Sequence, residues 1–273
     1  MNLYTIKEVK RPTSADEVHD WRDGYAWLAG GTWLFSEPQI KTNTLIDLED
    51  LAWKSLEASA GGLDIAATCK IRELYDFKPP KDWIAAPLIH DCCLAFLASF
   101  KIWNAATVGG NICMSLPAGP MTSLATALEG VVTLWPRNGK PRDVKMIDFV
   151  TGNNKNVLAP GELLRNIHLP ADALKKRFAF RRSSLTHLGR SAVLLIGTKS
   201  PKDGSFLLTV TASTVHPLQL AFAKMPTADE LRLAVDAKIP DDLYHNDVHG
   251  TPAYRRHITY YYAESIRAEL EAK

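Results

Sequence analysis

The chain has 273 residues, enough for two domains of ordinary size. Hydrophobic residues make up 46% of the sequence and charged residues 23%, a composition typical of globular proteins with a sizeable core. The formal net charge of +2 at pH 7 is too small to indicate a nucleic acid or a membrane surface as the partner. The segment MNLYTIKEVK lacks the apolar core of a secretory signal and no apolar run is long enough for a membrane span, so we expect a cytoplasmic protein.

The first part of the chain shows alternating strand and helix signals. Ser14 and Glu17 have the spacing of a capping box and predict a short first helix. The further predicted elements, in chain order, are a strand running into Gly30, a strand over 43–48, a hairpin about Gly61 and Gly62, a helix over 70–77 and a buried helix over 88–100.

The remaining elements are a helix, two hairpins and a long final helix. The predicted helix over 121–130 is closed by Gly130 as its C-cap, and hairpins turn about Asn138-Gly139 and Asp203-Gly204. Thr251 and Pro252 have the character of an N-cap and a first helical residue. A packing stripe follows on that helix at Tyr254, Ile258, Tyr262, Ile266 and Leu270. Strands and helices in this order indicate the mixed α+β class.

Two glycine pairs stand out because each follows an apolar run and precedes a small polar residue. Gly30-Gly31 is followed by Thr32, and Gly109-Gly110 by Asn111. Backbone N–H groups in such turns can converge on an anion, and two such nests brought together would suit a pyrophosphate. No lysine follows either pair, and neither has the spacing of a Rossmann turn. Both pairs also remain open to a purely structural interpretation as turns.

Metal sites and catalytic groups are not predicted in this chain. The four cysteines, Cys69, Cys92, Cys93 and Cys113, form no C-x-x-C pair, which favours buried free thiols over an iron–sulfur cluster or structural zinc. His245 and His249 lie in a segment with loop character, so we expect no metal there. The sequence shows no convincing catalytic triad or carboxylate pair.

The segments LAGGTWL (28–34) and NAATVGGNIC (104–113) together resemble the FAD-binding medium subunit of the molybdenum hydroxylases. That family includes carbon monoxide dehydrogenase, xanthine dehydrogenase and related aldehyde oxidoreductases. Later segments extend the resemblance over essentially the whole chain: PAGPMTSLATALEGVVTL, APGELLRNIHLP, FAFRRSS and HGTPAYRRHITYYYAESIRAEL. The implied fold is a two-lobed FAD-binding domain of the vanillyl-alcohol-oxidase (PCMH) type over 1–170, with lobes of about 1–50 and 51–170. A small α/β C-terminal domain over 171–273 follows it.

The resemblance also implies FAD as the cofactor and a set of binding residues. Backbone amides of both glycine loops would hold the FAD pyrophosphate, Leu34 and Leu164 would flank the isoalloxazine ring, and Arg181 would be a basic residue near the flavin. The implied cofactor residues are Ala29, Gly30, Gly31, Thr32, Trp33, Leu34, Thr107, Val108, Gly109, Gly110, Asn111, Leu164 and Arg181. Leu34 and Leu164 also suit a plain core, and Arg181 a solvated strand.

The implied function is electron transfer within an oxidoreductase complex. A large subunit with a molybdenum cofactor would oxidise the substrate, [2Fe-2S] clusters of a small subunit would relay electrons, and FAD in this chain would deliver them to an acceptor. The partners would make the assembly a hetero-oligomer.

The chain departs from the family pattern at three places. Gly119-Pro120 stands where the family has Ser-Asp, Trp103 replaces an arginine, and Leu185 and Leu188 replace an arginine and an aspartate. Two alternatives stay open. One is a stand-alone flavin oxidoreductase on the same fold; the other, which these departures support, is a subunit that has lost FAD and serves assembly.

Overall fold

The computed structural model describes residues 3–14, 17 and 21–272. The predicted first helix lies largely outside the described residues. The strands are β1 Glu8–Lys10, β2 Tyr25–Leu28, β3 Thr44–Asp47, β4 Leu56–Ser59, β5 Gly62–Ala66, β6 Val131–Trp135, β7 Arg142–Lys145, β8 Val150–Gly152, β9 Lys155–Asn156, β10 Leu163–Pro170, β11 Arg177–Ser183, β12 Val193–Lys199, β13 Phe206–Thr211 and β14 Leu218–Phe222. The helices are α1 Ile71–Asp76, α2 Pro87–Ala95, α3 Phe100–Trp103, α4 Val108–Cys113, α5 Pro120–Ala127, α6 Met146–Phe149, α7 Ala171–Leu174, α8 Ala228–Lys238 and α9 Pro252–Ala272. The predicted α+β class is confirmed.

A small parallel sheet near the N-terminus carries the first glycine loop. Its strand order is β1-β3-β2, and β3 is buried along its whole length. Strand β2 ends at Leu28, directly before the loop over 29–34. The backbone N–H of Leu48 donates to the Leu28 carbonyl at 2.9 Å, which fixes the point where this loop leaves the sheet.

The second sheet is antiparallel and supports the larger core. Its strand order is β4-β5-β10-β6-β7. Alternate apolar residues such as Ile65, Leu134 and Ile167 point to one face, where they pack with Leu88 and Leu124 of the helices. Burial of this face positions α4, and with it the second glycine pair, against β5 and β10.

The C-terminal sheet has the order β11-β12-β13-β14, with α8 and α9 on one side and α5 on the other. Helix α5 also contacts α2, α4 and α6, and each of its eight residues is buried. Polar groups on it are bonded to the C-terminal sheet: Ser123 Oγ lies 2.7 Å from Thr211 Oγ1, and Gln219 Nε2 donates to the Thr126 carbonyl at 2.8 Å. Strand β10 ends at Pro170 and β11 begins at Arg177, but the domain boundary near residue 170 stays a prediction.

Two sequence-based details of the helices are corrected. At the end of α5 the left-handed residue is Glu129, at φ +53°, and Gly130 follows as the residue whose N–H bonds back to Ala125. A Cβ on Gly130 would lie 2.7 Å from the Ala125 carbonyl oxygen, so glycine serves close approach there. The buried face of α9 also differs from the predicted stripe; it comprises Arg255, Thr259, Ala263, Ile266 and Leu270. Tyr254, Ile258 and Tyr262 pack at its margin, because 3.6 residues per turn rotates a strict four-residue stripe around the helix.

Among the described residues, no helix has both the length and the apolar character needed to cross a bilayer. In the same part of the chain, no group of three or more His, Cys, Asp or Glu side chains is arranged to hold a metal ion. The four cysteines are free thiols; Cys69, Cys92 and Cys93 are buried and Cys113 is half-buried.

Candidate functional site

The two glycine loops meet in the structure, although 77 residues lie between Gly31 and Gly109 in the sequence. A Cβ built on Gly30 would lie only 1.9 Å from the carbonyl oxygen of Ala105, in the segment that leads into the second loop. Gly109 closely approaches the residue that follows β5, since its Cβ would lie 2.5 Å from Cβ of Ala67. Only glycine allows either approach, so the two pairs bring three parts of the chain to one place.

A cavity of about 700 Å³ opens where the loops meet. Its wall is largely apolar with a few polar groups, the composition expected of a small-molecule site. The predicted residues that line it are Ala29, Gly30, Gly31, Thr32, Trp33, Leu34, Thr107, Gly109, Gly110, Asn111 and Leu164. Val108 is buried in the core beside the cavity.

The first loop presents backbone donors to this cavity. Gly31 has φ +66°, and the turn is closed by bonds from Phe35 N–H to the Gly31 carbonyl and from Ser36 N–H to the Trp33 carbonyl. Within the described ranges, the N–H groups of Gly30 through Leu34 donate to no protein acceptor. Free N–H groups in a turn with a left-handed residue form a nest for an anion.

The second loop differs from the first because its glycines begin a helix. The N–H groups of Val108 and Gly109 donate to the Cys69 and Ala67 carbonyls, both at 2.9 Å. Those of Gly110 and Asn111 donate to Thr107, at 3.1 and 3.0 Å. These four amides are thus engaged inside the protein, whereas the resemblance implied that they contact a ligand. The Asn111 side chain and the backbone N–H of Thr107, which donates to no acceptor among the described residues, are the donors that this loop offers to the cavity.

The loop before α5 forms another part of the wall. Gly119 and Pro120 line the cavity, and Pro120 is the first residue of the helix. Proline has no N–H and glycine no side chain, so this wall offers neither a carboxylate nor a hydroxyl at these two positions. This part of the wall therefore offers backbone and apolar surface where the family pattern has Ser-Asp.

The predicted apolar residues lie at different depths. Leu164, on β10, is 1% exposed and belongs both to the cavity wall and to the main core. Trp33 is 36% exposed, and Leu34 is intermediate. Leu164 therefore suits the floor of the cavity and Trp33 its mouth.

Arg181 is not part of the cavity wall. Its Nη2 donates to Glu269 Oε2 at 2.6 Å, and its Nε donates to Ser265 Oγ at 3.1 Å, so it is tied to α9. Side chains alternate along a strand, and Arg182 consequently points the other way, where its Nε donates to Ser191 Oγ at 2.7 Å. Arg190 and Ser191, in the loop after β11, line the cavity instead.

Two titratable groups at the cavity were not singled out as site residues from the sequence. Glu162 accepts bonds of 2.7 Å from both Nε and Nη2 of Arg142, and these bonds hold the pKa of its carboxyl below the ordinary value. Burial raises the pKa of the Cys113 thiol to about 12. Near neutral pH Glu162 is an ion-paired carboxylate and Cys113 a neutral thiol, so neither is poised for proton transfer. Glu162 lies in the segment APGELLRNIHLP, but its pairing with Arg142 on β7 joins positions twenty residues apart and could not be predicted from that segment.

Comparison with known sequences matches residues 5–172 to the family described as the FAD binding domain in molybdopterin dehydrogenase. The chain is 28% identical over 149 residues to the glyceraldehyde dehydrogenase medium chain of Sulfolobus acidocaldarius, an alignment covering 52% of this chain and 51% of the relative. It is 25% identical over 208 residues to the caffeine dehydrogenase subunit beta of a Pseudomonas species, covering 70% of this chain and 68% of the relative.

The fold is also similar to that of a solved structure, a chain of carbon monoxide dehydrogenase from Hydrogenophaga pseudoflava. The two superpose with a TM-score of 0.81 at 19% identity, covering 98% of each chain. At this identity the likeness concerns the fold.

Proposed function

We propose a role for this chain, which belongs to the family of FAD-binding domains in molybdopterin dehydrogenases and is an oxidoreductase component. The proposed role is that of the subunit that holds FAD in a molybdenum hydroxylase complex. Electrons arrive from [2Fe-2S] clusters of a small partner subunit and leave through FAD to an external acceptor. A large subunit with the molybdenum cofactor oxidises the substrate.

The observation that carries the proposal is the meeting of both glycine loops at one cavity. The free N–H groups of Gly30 through Leu34 suit the FAD diphosphate, with the Asn111 side chain as a further donor. The apolar wall that includes Leu164 suits the isoalloxazine ring. When bound, FAD would supply the capacity to accept single electrons and release two.

A stand-alone flavin oxidase or reductase is the weaker alternative. Such an enzyme needs its own proton donor next to the flavin. The carboxylate of Glu162 is paired with Arg142, and the Cys113 thiol has a raised pKa, so these groups of the wall do not favour that chemistry. The third alternative, a chain that has lost FAD, does not account for the unbonded backbone N–H groups of the first loop.

Purification of the complex from its native host tests the proposal. We expect molybdenum, iron and flavin in one assembly, and we expect the isolated chain to become yellow after incubation with FAD. An isolated chain that stays colourless would support the assembly role instead. An isolated chain that turns over an organic substrate with oxygen or NADPH would support the stand-alone enzyme.

A further inference from the structure

The cavity wall contains one charged side chain, that of Arg190, that is not paired with an opposite charge among the described residues. Of the described residues in its wall, Glu162 and Arg190 are the charged ones. Glu162 is paired with Arg142, whereas Arg190 has no ion pair or hydrogen bond with any residue that the structure describes. The cavity is therefore electropositive at Arg190, which favours an anion.

The backbone around Arg190 is held in place from both sides. Arg182 reaches back from β11 and donates to Ser191 Oγ at 2.7 Å and to the Gly189 carbonyl. The N–H of Ala192 donates to the Ser183 carbonyl at 2.9 Å, which closes the base of the loop. Buried Arg255 donates to the carbonyl of Ala192 as well. Arg190 itself is exposed, so its side chain extends from a fixed base at the cavity rim.

We propose that Arg190 pairs with an anionic group of the bound FAD and thereby raises the affinity for it; the inference rests on the proposed function. FAD offers two such groups. The diphosphate is negative in both redox states, whereas the isoalloxazine ring gains negative charge when it is reduced. Guanidinium is suited to both, because its planar N–H groups bond two oxygens or a ring edge with nitrogen and oxygen acceptors.

The test compares Arg190→Gln with Arg190→Lys, which keeps the charge, in the isolated chain of 273 residues. Arg177→Gln is a matched control, because Arg177 is an exposed arginine on β11 outside the cavity wall. Flavin fluorescence gives the Kd of oxidised FAD, and a dye-linked titration gives the midpoint potential of bound flavin. Thermal unfolding of the FAD-free proteins checks that all variants fold.

If Arg190 faces the diphosphate, Arg190→Gln should raise the Kd of oxidised FAD about tenfold and leave the potential unchanged. If it faces the ring, the substitution should weaken the binding of reduced FAD about tenfold more than that of oxidised FAD, which lowers the two-electron potential by about 30 mV relative to wild type. Either effect should shrink in high salt and be largely restored in Arg190→Lys.

A Kd and a potential that both match those of Arg177→Gln and the wild type would overturn the inference. Failure of the wild-type chain itself to bind FAD would instead overturn the proposed function on which the inference rests.

Discussion

Oδ1 of Asn111 accepts a hydrogen bond of 3.1 Å from the backbone N–H of Met121, at the start of α5. This bond fixes the orientation of the side-chain amide, since the oxygen must face the helix. The NH₂ group is therefore the part of Asn111 that is available to the cavity it lines. One side chain thus holds α5 in place with its acceptor and leaves its donors for a ligand.

Asn111→Asp separates these two roles. The aspartate still accepts from Met121 but loses the donor and adds a negative charge, so we expect the Kd of FAD to rise about 10- to 100-fold. The melting temperature of the FAD-free protein should hardly change, because the bond to α5 survives. Fluorescence titration and thermal unfolding measure the two effects. Wild-type FAD affinity in this variant would show that the Asn111 amide does not contact the cofactor.

Gly30→Ala tests whether the contact between the loops builds the site. Its Cβ would lie 1.9 Å from the Ala105 carbonyl oxygen, so the first loop must move away from the second. We expect the free energy of unfolding to fall by about 1–3 kcal/mol and FAD binding to weaken in parallel. Urea unfolding and FAD titration measure these changes.

Gly61→Ala is the matched control, because its Cβ meets Ser59 Oγ at an ordinary 3.5 Å. That variant should be close to wild type in both assays. Equal behaviour of the two variants would mean that the first loop tolerates the displacement, and that close approach of the loops is not required.

Arg181→Gln should leave FAD binding unchanged, within about twofold. The arginine is bonded to Glu269 and Ser265 on α9, and both partners of the ion pair are 30% exposed. We therefore expect only a loss of stability of about 0.5–1 kcal/mol. Titration with FAD beside urea unfolding checks this, and a large loss of FAD affinity without loss of stability would contradict the placement of Arg181.

These cases show which parts of the site could be read from the sequence. Local chemistry predicted the strand before Gly30 and the hairpin at Gly61-Gly62, since turn residues and alternation act over a few positions. The direction of Arg181 depends on strand register, and one residue changes the face of the sheet. The bonding of the Val108 and Gly109 amides depends on carbonyls some forty residues away, at Cys69 and Ala67. Arg190 and Glu162 join the cavity only through tertiary packing, so local sequence patterns do not place them there.

Glu162 gives a prediction for the pH dependence of stability. Bonds from Arg142 hold the folded pKa of Glu162 below its ordinary value of 4.5. The ionised carboxylate therefore stabilises the fold above about pH 4.5, and this contribution is lost as the pH falls through the lowered folded value. Glu162→Gln should reduce the free energy of unfolding by about 1–3 kcal/mol at pH 7, since it removes a charged hydrogen-bond partner of Arg142.

The difference between wild type and Glu162→Gln should then be smaller at pH 3 than at pH 7, because the unfolded carboxyl takes up a proton below about pH 4.5 and the stabilisation is lost toward the lowered folded pKa. Urea unfolding at both pH values measures it. Glu57→Gln is the control, because Glu57 is 58% exposed and its pair with Lys54 lies at 3.4 Å on the surface, so this variant should cost little at either pH. A Glu162→Gln deficit that stays constant from pH 7 to pH 3 would mean that side-chain shape, and not charge, is what Glu162 contributes beside the cavity.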